Sequence, residues 1–217
     1  MKNYKFKIPH SRMAFQLVLI AILSVFLVSC EKEQDDVPAE MTVFNVLGTF
    51  NDKSPAEGNK AAPAKGDDPI AQIAIENPDF NELVAALTYV DTELNAGLVD
   101  LFLNGKDQYT VFAPTDEAFY ALYDALGNDV NGITDLPAEL VLNVLLYHVT
   151  DGRRASNSVV PKNNMRKIET LLEGASFKVA PDLKITAIGS SAYIVAADIS
   201  ASNGIIHVID NVLLPID

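Results

Sequence analysis

The spacing of apolar residues changes near residue 175, and this change constrains the fold more than any other feature of the sequence. Before it, Phe80, Leu83, Val84 and Leu87 recur at the spacing of one helix face. After it, the runs SFKVA, LKITAI, AYIVAADI and GIIHVIDNVLL are short, β-branched and separated by PD, GSS and SNG. Helices followed by strands indicate an α+β domain in which helices pack against an antiparallel sheet.

Residues 109–127 show how sharply these elements are delimited. Tyr109 to Phe112 is β-branched and aromatic, which predicts a strand, and Pro114 ends it. Thr115 can cap a following helix, Asp116 lies where the helix dipole favours negative charge, and Gly127 closes the apolar stripe. We therefore expect a strand, a sharp turn and a capped helix.

Three further helices are predicted. In NPDFNELVAAL, Asn77 is an N-cap and Pro78 occupies the first helical position. LNAGLVDLFL predicts a short apolar helix. LPAELVLNVLLYHVTDG is apolar nearly all round, so we expect a helix that is buried on most sides, capped by Asp135 and ended by Asp151 and Gly152.

The N-terminus precedes the domain and has a different character. Basic residues lead into MAFQLVLIAILSVFLVSC, whose apolar part would span only about 22 Å as a helix. That is short of the ~30 Å hydrocarbon core of a bilayer, so residues 1–30 are predicted to be a signal peptide. LVSC resembles the lipobox of bacterial lipoproteins, which implies that Cys30, the only cysteine, carries palmitate-like acyl chains.

Residues 31–69 are acidic and rich in Pro and Ala, a composition that predicts a tether. Its apolar island, residues 41–50, is either part of the tether or an extra strand on the domain edge. The run EKEQDD behind Cys30 is either an ordinary linker or a surface-sorting signal of the type found in Bacteroidetes-like bacteria. The predicted location is the outer membrane, on the cell surface or the periplasmic face.

Charge restricts the classes of partner. Without residues 1–30 the net charge of the chain is 16 − 4 − 29 = −17. So negative a protein is expected to bind neither nucleic acid nor, directly, anionic lipid. Attachment to the membrane is therefore expected through the lipid alone. Five basic residues nevertheless cluster in a short stretch, which either is a solvated loop or borders a face that binds an acidic protein or glycan: Arg153, Arg154, Lys162, Arg166 and Lys167.

No motif for catalysis is evident. The chain lacks Gly-x-Ser-x-Gly, His-Glu-x-x-His and a phosphate-binding glycine loop. The two histidines beyond the leader, His148 and His207, have no ligand-spaced neighbours. We predict that the protein is not an enzyme and holds no metal and no cofactor.

Three segments together resemble a known family. YTVFAPTDEAF at 109–119, LLYHV at 145–149 and ASNGIIHVIDNVLLP at 201–215 are similar to the successive boxes of the fasciclin domain, so residues 70–217 are identified as one such domain. The resemblance implies a β-wedge or sandwich of short strands with several packed α-helices. It also implies extracellular or surface-attached adhesion and binding.

The resemblance also implies candidate partner-binding residues, because integrin recognition in animal members has been assigned to a Tyr-His pair and an Asp-Ile pair. The matching pairs are Tyr147 with His148 and Asp198 with Ile199. A helix C-terminus favours charged His148, which predicts a response to pH; the alternative is a packed structural pair. For Asp198 the alternative is a turn residue at a strand end.

His207 lies in GIIHVI, where both faces of the strand are apolar. We interpret it as a structural residue whose ring nitrogens need a nearby carbonyl or carboxylate. The function expected overall is that of a cell-envelope lipoprotein acting as an adhesion or protein/glycan-binding module. The alternative is an envelope accessory protein that binds a small molecule, glycan or haem in a pocket near Tyr147 and His148.

Overall fold

The computed structural model describes residues 63–127 and 129–216. Its α-helices are α1 (Ile70–Glu76), α2 (Asn81–Leu94), α3 (Leu98–Asn104), α4 (Asp116–Leu126), α5 (Ala138–Tyr147) and α6 (Ser156–Val159), with 3-10 turns at Pro78–Phe80 and Ile133–Asp135. Its strands are β1 (Tyr109–Pro114), β2 (Val149–Asp151), β3 (Arg166–Glu169), β4 (Ser176–Val179), β5 (Lys184–Thr186), β6 (Ser191–Ala201) and β7 (Gly204–Ile209). The predicted signal peptide, the lipid site at Cys30, most of the tether and the possible strand at 41–50 lie outside the described residues.

The strands form one seven-stranded sheet in the order β2-β1-β7-β6-β5-β4-β3. The β1–β7 pair is parallel, with Phe112 opposite His207, and the other pairs are antiparallel. The α+β fold is therefore confirmed, but the sheet is mixed rather than antiparallel. Every residue of β1 and β7 is buried, as expected for parallel strands that are covered on both faces.

Two apolar clusters fill the domain. The larger one lies between the helices and the sheet and includes Phe80, Leu83 and Leu145. The smaller one includes Phe112, Tyr147 and Phe177, whose rings meet edge to face at centroid distances of 4.9 Å for Phe112–Phe177 and 5.9 Å for Tyr147–Phe177. Both clusters draw on β1 and β7, so these strands join the helical half of the domain to the strand-rich half.

The expected capping of α4 is confirmed, whereas that of α5 is wrong. Thr115 accepts the Ala118 N–H at 3.4 Å. Helix α5 instead begins after Pro137, and the carboxylate of Asp135 accepts the Asn131 N–H at 2.8 Å. The helix also ends earlier than predicted, at Tyr147, because the following residues pair with β1 as β2. Its burial is one-sided, with only three of its ten residues fully buried.

Several helices are capped by side chains that belong to other elements of the fold. Asp91 accepts the first two amide protons of α3 at 2.7 and 2.8 Å. Asp116 accepts the amide proton of Glu82 in α2 at 2.8 Å, and Asn203 accepts that of Ile70 in α1 at 2.8 Å. These bonds satisfy backbone donors that a helix cannot satisfy itself, and they fix the helices to one another and to the sheet.

Within residues 63–127 and 129–216, no helix has the length and apolar character needed to cross a bilayer.

Candidate partner-binding surface

Tyr147 and His148 lie in the interior. The Tyr147 ring is fully buried and its hydroxyl donates to the Ser176 carbonyl at 2.9 Å. His148 is 3% exposed; its Nδ1 lies 2.7 Å from the Val144 carbonyl, and its Nε2 accepts the Leu213 N–H at 2.9 Å. Since Nε2 is an acceptor, Nδ1 carries the proton. Neither side chain is available to touch a partner in this conformation.

The electrostatic effect on His148 is opposite to the one expected. Burial lowers its pKa to about 4, and this exceeds the raising effect of the Val144 carbonyl. Desolvation disfavours the imidazolium more than the end of the helix favours it. His148 is therefore neutral at pH 7 in the folded protein, and the arrangement fits the alternative of a packed, hydrogen-bonded pair of Tyr147 and His148.

Asp198 lies within β6, where the register with β7 shifts between Ala196 and Ile199. Its φ of +66° is in the left-handed region, which Asp tolerates better than most residues. Its carboxylate accepts the backbone N–H of Ser156 at 2.7 Å and the Ser156 hydroxyl at 2.5 Å. Ile199 is half-buried opposite Ile206. Asp198 is thus neither a free carboxylate nor a residue of a strand-end turn.

His207 has the partner that its burial requires. The ring is fully buried, with Nε2 at 2.9 Å from the Arg154 carbonyl and Nδ1 accepting the Asp198 N–H at 3.3 Å. Burial lowers its pKa, against smaller raising effects of the Arg154 carbonyl and the Asp198 charge. Its ring lies 5.4 Å from that of Phe112. His207 therefore connects β7 to the loop after β2 and to the distortion in β6.

Arg153 also makes internal contacts. Its guanidinium donates to the carbonyls of Ala201 and Gly204, and to the Ser200 hydroxyl at 2.5 Å. It further donates to the carbonyls of Pro63 and Ala64 at 3.1 and 3.0 Å. One side chain thus fixes residues 63–64 against the β6–β7 turn, so this end of the predicted tether lies on the domain.

The rest of the basic cluster does not form one surface. Arg154 donates from Nε to the Asp151 carbonyl at 3.0 Å, and Arg166 donates to the Ser158 carbonyl. Lys162 and Lys167 are exposed, and only Lys167 lies on the outward side of a strand with other basic residues.

The outward side of β3–β6 carries Lys167 together with Lys178 and Lys184. We call it the outer face; its residues are Lys167, Glu169, Lys178, Lys184, Thr186, Ser191, Tyr193 and Val195. The alternate residues of the same strands, including Phe177, Ile185 and Ile194, are buried. Tyr193 and Val195 are 44% and 58% exposed, so the face carries apolar groups beside its lysines.

Two lysines of the outer face stand directly opposite each other, Lys167 on β3 and Lys178 on β4. Like charges at such positions destabilise a sheet. The only salt bridge among the described residues joins Lys167 to Glu169 at 2.7 Å. Lys184 is opposite Tyr193, and Asp182 at the margin accepts the Lys184 backbone N–H at 3.3 Å. Asp210 likewise accepts the Tyr193 N–H at 2.6 Å.

Charge is distributed unevenly between the two halves of the domain. Residues 63–139 hold 15 Asp and Glu against 2 Lys, a net charge of 2 − 15 = −13. Residues 140–216 hold 7 Lys and Arg against 6 Asp and Glu, a net charge of 7 − 6 = +1, and all seven basic residues lie within residues 152–184. The helical half therefore repels anions, and the strands of the outer face are the region that attracts them.

The cavities do not support a haem beside the histidines. The cleft that touches His148 has a volume of about 30 Å³ and an almost entirely apolar lining. Ligand pockets usually measure ~300–1,000 Å³. Within the described part of the chain, no group of three or more His, Cys, Asp or Glu could hold a metal ion.

Sequence reasoning overlooked Lys178, Lys184 and Tyr193. The signal was present, because SFKVA, LKITAI and AYIVAADI alternate between apolar and other residues with the period of a strand. The alternation within each strand does not show which strands are neighbours in the sheet. That order decides whether these residues share one surface.

Comparison with known proteins identifies the domain. The fasciclin domain family model matches residues 78–215. Immunogenic protein MPB70 of Mycobacterium bovis is 32% identical over 165 residues, 74% of this chain and 78% of that protein. Cell surface glycolipoprotein MPB83 of the same species is 35% identical over 152 residues, 68% of this chain and 61% of that protein.

Among solved structures, a FAS1 domain pair from the insect cell adhesion molecule Fasciclin I overlaps with a TM-score of 0.44 and 20% identity, covering 61% of this chain and 45% of that one. The family match spans more than half of the chain and includes β1, α5 and β7, which supply the three boxes. The chain belongs to the fasciclin domain family.

Proposed function

We propose that this protein is a cell-envelope lipoprotein, anchored to the outer membrane through Cys30, whose fasciclin domain is an adhesion or protein/glycan-binding module. Its partner contacts the outer face. The residues first considered for that contact, Tyr147, His148, Arg153 and Asp198, make internal hydrogen bonds instead.

The cross-strand pair of Lys167 and Lys178 is the observation that carries this proposal. Mutual repulsion of two directly opposite lysines costs stability; the Glu169 carboxylate offsets part of it at Lys167, and an anionic partner at Lys178 would relieve the rest. On the same face, exposed Tyr193 stands opposite Lys184, and Val195 adds further apolar area. Aromatic residues beside polar groups are typical of surfaces that bind partners.

The relatives support the location. MPB83 is named a cell surface glycolipoprotein, and it is similar over 68% of this chain. The sequence LVSC and the basic leader favour the same kind of anchor here.

The binding role is tested on cells that display the full chain. Attachment to surfaces coated with polygalacturonate, chondroitin sulfate, neutral dextran or an acidic protein is compared for the native chain and for Lys167→Glu with Lys178→Glu. The matched control changes two exposed lysines elsewhere, Lys65→Glu with Lys106→Glu. We expect attachment to a charged surface to fall at least fivefold in the first variant only. Equal attachment by both variants would refute a role for the outer face.

Anchoring is tested separately. Protease treatment of intact cells should remove the domain if it faces outward, and protection would place it on the periplasmic side. A Cys30→Ala chain should lose its partition into detergent. If it still partitions like the native chain, the lipid anchor is rejected.

A further inference from the structure

The last residues of the predicted tether lie on the domain instead of extending away from it. We call residues 63–69 the strap. The carbonyl groups of Pro63 and Ala64 accept hydrogen bonds from the Arg153 guanidinium at 3.1 and 3.0 Å. The Ser200 hydroxyl also donates to the Ala64 carbonyl. The start of the strap is therefore attached to the end of β6.

Two further contacts continue along the strap. The Asp68 carbonyl accepts the N–H of Ser202, in the turn between β6 and β7, at 2.8 Å. Gly66 lies so close to β6 that a side-chain carbon at this position would stand 2.1 Å from the Ser200 carbonyl oxygen. Glycine permits such a close approach of two backbones. The strap thus follows the β6–β7 turn as far as α1.

The attachment of the strap is much weaker than that of the helix behind it. No residue of the strap is buried, and four of its seven residues are exposed. Segments with few buried apolar contacts open at a lower free energy than the core of a domain. Ile70, the next residue, is 4% exposed, and its N–H donates to the Asn203 side chain at 2.8 Å. Opening that begins at residue 63 is therefore expected to stop at α1.

The strap connects the predicted anchor to a strand of the outer face. Tyr193 and Val195 belong to β6, and so do Ser200 and Ala201, which accept hydrogen bonds from Arg153. If the chain is anchored at one end and bound to a partner through the outer face, tension on the domain passes through the strap. Its bonds are loaded before α1, because the strap precedes α1 in the chain.

We propose that the strap is a release segment: when the tether is pulled, the strap leaves Arg153 and the β6–β7 turn before the sheet opens. The release lengthens the tether by at most about 25 Å, the extended length of residues 63–69 at ~3.6 Å each. The outer face stays folded during this extension. Such tension arises only in a chain that is both anchored and bound, so the role of the strap rests on the proposed function.

The test stretches single molecules of the full chain between two thiol handles. Cys30→Ser removes the only cysteine, and Asp52→Cys and Lys178→Cys then place one handle in the tether and one on the outer face. The measurement needs neither lipid nor partner, so its failure is distinguishable from a failure of the proposed function. We expect a first step of at most ~25 Å at a lower force than the unfolding of the domain. Unfolding without an earlier step of this size overturns the proposal.

Two variants with matched controls assign the first step to the strap. Arg153→Lys removes the planar fork, and its control is Arg154→Lys, whose side chain donates to the Asp151 carbonyl. Gly66→Ala pushes the strap away from β6, and its control is Gly132→Ala, where an added carbon meets nothing within 4 Å.

The force of the first step should fall at least twofold in both strap variants and stay unchanged in both controls. If Arg153→Lys does not fold, Gly66→Ala decides, since it leaves the arginine in place. An unchanged first step in either folded strap variant overturns the proposal.

Discussion

The carboxylate of Asp116, in the first turn of α4, accepts the backbone N–H of Glu82 in the first turn of α2 at 2.8 Å. Its second oxygen accepts the side-chain amide of Asn81 at 3.0 Å. One residue thus begins its own helix and caps another whose N-terminus lies 34 residues earlier. The acidic residue of the TDEAF segment therefore has an architectural role.

Replacing Asp116 by alanine should lower the free energy of unfolding by about 1–2 kcal/mol, because the part-buried N-terminus of α2 loses its cap. Urea denaturation measures the change. Glu117→Ala is the control, since Glu117 is exposed in the same turn and contributes only through the helix dipole, about 0.5 kcal/mol. If both variants lose the same free energy of unfolding, the hydrogen bond from Asp116 to α2 does not stabilise the protein beyond the helix dipole.

Arg153→Lys should release residues 63–64 from the domain. Lysine keeps the charge but not the planar fork that reaches five acceptors, so we expect a loss of roughly 2 kcal/mol and faster amide exchange at residues 63–68. Arg154→Lys loses one side-chain bond, to Asp151, and should change both quantities less. Unchanged exchange in the Arg153 variant would contradict this assignment.

The protein should become less stable in mild acid because His148 is buried in its neutral form. Its pKa is about 4 in the folded protein against an ordinary value of 6.5. The unfolded chain therefore binds more protons between these values, and stability is lost as the pH falls from 6.5 towards 4. The loss from His148 amounts to about 3 kcal/mol.

Unfolding free energies at pH 7, 5.5 and 4.5 for the native chain and for His148→Gln measure this contribution. The variant should show a shallower dependence on pH. Some dependence should remain, since burial also lowers the pKa of His207. Parallel curves for the two proteins would exclude His148 as the source.

The contact between Asp198 and Ser156 should show measurable coupling. A double-mutant cycle with Asp198→Asn and Ser156→Ala should give an interaction energy of about 1 kcal/mol, because the contact is a charge-assisted hydrogen bond. Asparagine also tolerates the left-handed backbone at position 198, so the cycle reports the side-chain contact rather than strain. Additive effects would mean that the carboxylate acts through the Ser156 backbone amide alone.

Lys178→Glu should stabilise the domain by about 0.5 kcal/mol at low salt, because it converts a like-charge pair with Lys167 into an opposite pair. The gain should shrink at high salt. Lys106→Glu, at an exposed lysine in the acidic half, is the control and should have little effect. Destabilisation by Lys178→Glu would show that the two lysines do not repel in the folded protein.

Helices, strands and the family boxes could be predicted because each depends on local spacing. The Thr115 cap and the strand at Tyr109 are read from neighbouring residues alone. Long-range pairing could not be predicted in this way. The bond from Asn203 to Ile70 joins residues 133 positions apart, and no local pattern specifies it.

The candidate site was harder to predict for a related reason. Tyr147 and His148 lie at the end of an apolar helix, and both residue types occur on protein surfaces as well as in cores. Whether they are exposed or buried depends on which residues pack over them. Phe177 and Leu213 provide that cover from later in the chain. The outer face forms because β3–β6 are neighbours in the sheet. The alternation of residues within each strand does not predict this order.

The position of β7 has a consequence for how the chain acquires its structure. The last strand in sequence lies between β1 and β6, and its pairing with β1 joins residues separated by about 95 positions. Nearly the whole domain must be synthesised before the middle of the sheet can assemble, and contacts of such long separation form slowly. The sheet of the nascent chain therefore cannot be completed until its last strand is available, even though the helices that precede it are already synthesised.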